Sequence, residues 1–180
     1  VIVVFLHVFF ANAQQRNCGT MQHLDEIRQR DPGVDNRMDV ENLDIKHWIS
    51  NNTSSSKSMP NLITIPVVVH VIYKNSSQNI SDAQIFSQID ILNEDFRKIS
   101  GTPGDGAGVD TMIEFCLAQV DPNGNPTNGV DRVNLGTASF DGAAVEAAKA
   151  TTIWDPTKYL NMWTFNFGGD LAGVLGYAQF

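Results

Sequence analysis

Apolar residues are spread unevenly along the chain. The densest internal run is Leu62–Tyr73, LITIPVVVHVIY. It is rich in β-branched residues and apolar on both alternating sets, which predicts a strand covered on both faces. Pro66 lacks a backbone donor, so firm pairing is expected from Val67 onward. The next pattern has a different period. Ile85, Ile89, Leu92 and Phe96 form one stripe, Ser81 and Gln84 a capping box, and Arg97 and Lys98 a basic end, which predicts a helix over Ser81–Lys98. A second strand is expected over Met112–Val120 and another over Val130–Leu135, then an Ala-rich helix over Asp141–Thr151. The chain closes with two aromatic-rich runs, Tyr159–Phe167 and Val174–Phe180, separated by Gly168-Gly169-Asp170, which read as strand, glycine turn and strand.

The segment before Leu62 has another character. Val1–Phe10 is an apolar run followed by Ala11-Asn12-Ala13, the pattern of a signal-peptide core and its cleavage site over residues 1–13. It is too short to span a bilayer. Residues 14–61 form a polar leader. Within it Met21–Arg30 reads as a short helix stopped by Asp31-Pro32-Gly33, and Val34–Ile49 as a second, weakly apolar one. Ser50–Asn61 has linker composition, with Lys57 one place for proteolytic cutting.

Charge narrows the function. The formal net charge is −8, and thirteen of the twenty acidic residues lie after residue 61. That argues against nucleic acid as a partner. Gly104–Gly108 follows a helix rather than a strand and is not followed by Lys-Ser/Thr, so it is not a phosphate loop. Asp121, Asn123 and Asn125 imitate the start of a calcium loop, but Pro126 and Arg132 stand where glycine and glutamate are needed. There is no G-x-S-x-G elbow. His23, His47 and His70 are isolated, and His70 on a buried strand reads as a structural core residue. Cys116 lies in an apolar strand and also reads as buried and structural. A thiol hydrolase built on Cys116 and His70 is the weakest alternative. Cys18 is different, being a thiol in a polar leader ahead of a cleavable linker. A thiolate is a strong zinc ligand, and a leader that offered one to an open zinc site would silence it. From chemistry alone, a spare thiol or a disulfide to Cys116 explains Cys18 better.

Six short motifs in order change that balance. They are Arg16-x-Cys18-Gly19-Thr20, Ile65-Pro66-Val67-Val68-Val69-His70-Val71, Gln88-Ile89-x-x-Leu92-Asn93-x-Asp95-Phe96, Ile113–Ala118 with Asp121-Pro122-x-Gly124, Trp154-Asp155-Pro156-x-x-Tyr159–Trp163, and Leu175–Phe180. Together they resemble the pappalysin-type metalloproteases, a branch of the metzincins. The resemblance implies a secreted zinc endopeptidase made as a zymogen, with protein or peptide substrates and its own leader as inhibitor. It implies zinc as cofactor, with calcium an open second ion, and Cys18 as the switch ligand of the latent form. It implies an α+β fold, the upper metzincin subdomain over residues 62–180: a mostly parallel twisted sheet, a long helix packed on it, and an antiparallel edge strand above the cleft. The edge residues Gly173, Leu175, Gly176, Tyr177, Ala178 and Gln179 are then expected to bind substrate by main-chain pairing. The family's H-E-x-x-H-x-x-G-x-x-H helix would follow after Phe180, so no catalytic residue is expected in this chain, and the 180-residue chain alone is expected to be inactive. The other class of function is a secreted, non-catalytic peptide-binding module using the same open edge.

Overall fold

The computed structural model describes residues 17–52 and 62–179. The expected signal peptide, Arg16, most of the expected linker, and Phe180 lie outside the described residues. In chain order the elements are β1 (Asn17–Cys18), α1 (Thr20–Arg30), α2 (Val34–Asn52), β2 (Ile63–Tyr73), α3 (Asp82–Phe96), β3 (Ile113–Leu117), β4 (Val130–Asn134), α4 (Gly142–Thr152), β5 (Leu160–Thr164), a 3-10 turn (Gly169–Leu171) and β6 (Val174–Gly176).

Every strand of the main sheet pairs with β2, and every pairing is parallel. β3 pairs with Ile63–Val67 and β4 with Val69–Tyr73, so the two follow one another along one edge of β2. β5 pairs with Val67–Val71 and therefore takes the other edge. Between β3 and β4 the chain leaves at Ala118 and returns at Gly129, whose carbonyl accepts from Val69. Gly129 has φ +75°, and a Cβ there would sit 2.7 Å from the Ala118 nitrogen. Only glycine lets the loop close that tightly.

This register explains Pro66. Odd-numbered residues of β2 bond toward β3 and β4: Val67 accepts from Ala118, and Val69 donates to Gly129. Even-numbered residues face β5, which begins only at the Val67↔Leu160 pair. The missing N–H of Pro66 thus points where no strand is paired. The ladder with β3 runs straight through it, from Ile63 rather than from Val67.

Six successive residues, Val67 to Ile72, are buried, as two-sided coverage requires. On one face Val67, Val69 and Val71 pack with Ile85 and Ile89 of α3 and with Phe115. On the other, Ile72 packs with Phe140, Val145 and Ala148 of α4 and Leu171, and Trp163, Phe167, Val174 and Tyr177 join this cluster. Each fully buried aliphatic side chain contributes about 1.5–3 kcal/mol. α3 is fixed at its start by the full capping box, Ser81 accepting from Gln84 N and the Gln84 side chain accepting from Ser81 N. Ser81→Ala should cost about 1 kcal/mol in a denaturant titration; an unchanged midpoint would remove the cap from the account. Farther along α3, the Asn93 side chain donates to the Phe115 carbonyl at 2.9 Å and accepts from its N–H at 2.7 Å, so one amide covers the free edge of β3.

The α+β class, the parallel sheet and the helix packed on it are as the sequence implied. The last strand is not. β6 is absent from the four-stranded sheet, and its partner is β1, in parallel. No helix among the described residues is long and apolar enough to cross a membrane.

Candidate functional site

β6 is held between two parts of the chain. Its side chains reach back to α4 and its backbone reaches forward to the leader. Asn17 pairs with Val174 and Cys18 with Gly176, with a bulge between the two pairs. Gly19 then donates to the Gly176 carbonyl at 2.9 Å. Ala178 donates to the Thr20 hydroxyl at 3.0 Å. The leader therefore occupies the main-chain groups of the strand that the sequence marked as a substrate edge, and it does so over four residues before turning into α1. Gly19 is buried, and a Cβ on it would lie 2.8 Å from Val174 Cγ1 and 3.6 Å from Tyr177 Cβ. The absence of a side chain is what lets the leader backbone lie this close to β6.

Cys18 is exposed at this junction, its sulfur 3.2 Å from the Thr20 hydroxyl. Hydrogen bonds from the Thr20 side chain and backbone favour the thiolate and lower the Cys18 pKa from its ordinary value. Both cysteines are free.

A polar cluster fixes the far end of the edge. Lys149 of α4 reaches Glu146 at 2.9 Å, Gln179 Oε1 at 2.9 Å and the Tyr177 hydroxyl at 3.3 Å, and its ammonium lies 4.6 Å from the Tyr177 ring centroid. The Tyr177 hydroxyl donates to Glu146 at 3.2 Å. Burial and the neighbouring Glu146 charge push the Tyr177 pKa well above the ordinary phenol value. On the leader side, His23 and Leu24 of α1 are buried, and the His23 ring lies tilted against Tyr177 with centroids 4.3 Å apart. The sequence reading missed Glu146, Lys149 and His23. One signal for the first two was present: they are the sole charges in GAAVEAAKATT, three residues apart and so on one side of an Ala-rich helix.

Of the expected edge residues, the structure brings Gly176, Tyr177, Ala178 and Gln179 together with Cys18. Gly173 makes the left-handed turn into β6 at φ +85°, and Leu175 is 55% exposed. Cys116 corrects the sequence reading. It is exposed rather than buried. It pairs in register with Pro66, and the α4 cluster does not extend to that end of the sheet. His70 is fully buried, with Nδ1 2.8 Å from Asp131 and Nε2 2.9 Å from Asn161. It lies four positions along β2 from Pro66, about 13 Å from Cys116 at ordinary strand rise. The two do not form a nucleophile–base pair. The run Asp121–Asn125 is a turn in which Asp121 accepts from Asn123 N and Asn125 N.

Among the described residues no three His, Cys, Asp or Glu side chains are placed to hold a metal. Cys18 offers a single exposed sulfur donor, so no zinc site is assigned within these residues.

No family profile matches the chain, and no curated protein sequence does. Solved structures do. Mature mirolysin of Tannerella forsythia, in complex with a cleaved peptide, is 47% identical, with 68% of this chain and 48% of that chain covered and a TM-score of 0.58. Mirolysin in complex with compound 9 gives the same identity and TM-score over 67% of this chain and 47% of that one. A Tannerella forsythia promirolysin mutant is 42% identical over 92% of this chain and 54% of that one, with a TM-score of 0.62. The chain spans about half the length of these structures. The parallel sheet and the four helices among the described residues agree with this match, and the chain belongs with mirolysin among the pappalysin-family metzincins.

Proposed function

We propose that the chain supplies the inhibitory leader and the substrate edge of a secreted zinc metalloendopeptidase made as a zymogen. The observation that carries this is the parallel pairing of β1 with β6, which fills the main-chain groups an extended peptide would use. The reach of the matches supports the division. It grows from 68% of this chain for mature mirolysin to 92% for promirolysin, a gain about the size of residues 14–61. Residues 62–179 are then the body, residues 17–52 the leader, and the stretch between them the place to cut. Export of the protein rests on residues 1–13 alone.

Substrate binding is tested at Ala178. Its N–H donates to Thr20 of the leader, and its side chain is exposed, so the body itself does not need that donor. In the full-length enzyme with its leader removed, Ala178→Pro should lower kcat/KM for peptides by roughly tenfold, the worth of one main-chain hydrogen bond and a disturbed approach. Zinc content should stay unchanged, and a chelator should abolish the parent's activity. Unaltered kcat/KM would remove β6 as the edge. Chelator-resistant hydrolysis would remove the metalloprotease.

A further inference from the structure

The leader buries one titratable side chain that neither strand pairing nor the Cys18 thiol requires. His23 is 8% exposed and packs tilted against the Tyr177 ring. Its Nδ1 faces Glu26 at 3.9 Å, and its Nε2 is buried with no hydrogen-bond partner. A neutral ring tolerates this, with the proton on Nδ1 and a lone pair on Nε2. A second proton would place both a charge and a donor at a buried Nε2 that has no acceptor among the described residues.

The surrounding charges do not rescue it. From α1 come Glu26 and Arg30, which lie 3.8 Å apart. From α4 come Glu146 and Lys149, joined at 2.9 Å, and Glu146 also accepts from Tyr177. Each carboxylate near His23 is already matched to a cation. The Tyr177 ring, whose π-system would attract an imidazolium, already has the Lys149 ammonium 4.6 Å from its centroid. Burial is the largest effect and holds the His23 pKa below the ordinary imidazole value.

We propose that His23 makes the leader's grip on the β6 edge pH-sensitive, so that mild acid loosens the leader without a proteolytic cut. This rests on reading residues 17–52 as a leader docked on β6. Once released, His23 meets water and regains its ordinary value of 6.5. Below that pH the released form binds more protons than the docked one. Docking is therefore complete above 6.5 and weakens as pH falls, by at most about tenfold per unit, until the docked value is reached.

The test uses the 180-residue chain and two readouts. Histidine-ring NMR follows the titration of His23. Hydrogen exchange of the Gly19 amide, corrected for its intrinsic rate, follows docking through its bond to Gly176. Between pH 7.5 and pH 5, Gly19 protection should fall severalfold, while His23 titrates below 6.5. His23→Phe keeps a ring on Tyr177 and removes the proton, so its protection should stay level. Level protection in the parent overturns the proposal. So does a His23 that titrates at or above 6.5, or an equal fall in His23→Phe, which would put the sensitive group elsewhere. An unprotected Gly19 amide in both proteins at pH 7.5 would overturn the docked leader itself, and the pH device with it.

Discussion

The Gly19→Val precursor should hydrolyse peptides before any cut is made in its leader. At residue 19 the backbone has φ −86° and ψ 1°, on the negative-φ side that non-glycine residues also occupy, so glycine is not needed there to reach a left-handed conformation. Its effect is a collision. The first side-chain carbon would meet Val174 Cγ1 at 2.8 Å, and Val174 is β-branched and packed into the α4 cluster, so it yields little. Overpacking of this kind costs about 1–3 kcal/mol, which corresponds to a docking constant weaker by roughly 5- to 150-fold. Gly19→Ala should do the same to a smaller degree. Cys18→Ala should also relieve latency, but by another route: the exposed thiol is lost and the pairing of β1 with β6 stays. Hydrogen exchange at Ala178, which donates to Thr20, separates the two. It should quicken in Gly19→Val and hold in Cys18→Ala. A Gly19→Val precursor as latent as its parent would mean that strand pairing is not what closes the edge.

Elements whose signal is local were legible in the sequence. β2 showed its two-sided burial in consecutive apolar residues, and α3 showed both its stripe and its cap. α4 was legible from alanine and Asp141, which accepts from Ala144 N. The failures lie where a distant segment decides. Tyr159–Phe167 and Val174–Phe180 looked like neighbours across a glycine turn. Instead β5 joins β2, while β6 is carried out of the sheet by the Gly169–Leu171 turn and paired by residues about 155 positions earlier. A two-residue strand with a bulge has no periodicity to announce it. Cys116 was misjudged because IEFCL is apolar but for Glu114. Its alternate residues nonetheless face different surroundings: Phe115 meets α3 and is buried, and Cys116 points to the side that α4 leaves open. The family motifs singled out Leu175–Phe180, but nothing local in them announces the pairing of β6 with residues 17–18, the bonds to Gly19 and Thr20, or the contact of Gln179 with Lys149.

His70→Ala should destabilise the chain by roughly 2–4 kcal/mol, read as a lower denaturant midpoint at unchanged slope. His70 sits at the centre of β2 and joins both neighbouring strands by side chain as well as by register. Nδ1 meets Asp131 of β4, and Nε2 meets Asn161 of β5. Asn161 cannot turn away, because its amide also accepts from Trp154 N at 2.8 Å and donates to the Trp154 carbonyl at 3.0 Å. Its oxygen therefore faces Nε2 at 2.9 Å. The ring also stacks on Trp163 at 5.0 Å and meets the edge of Trp154 at 6.1 Å. Alanine removes the ring, opens a cavity and leaves the half-buried Asp131 carboxylate without its imidazole partner, while the Asn161 oxygen keeps only its bond from Trp154 N. Phenylalanine would restore the volume but neither hydrogen bond, so His70→Phe should recover only part of the loss. If His70→Phe is as stable as the parent, the polar bridge contributes nothing and packing alone holds β4 and β5. If both variants match the parent, His70 is not structural at all. The expected middle result would tie the strand that leads into β6 to the opposite edge of the sheet through one imidazole.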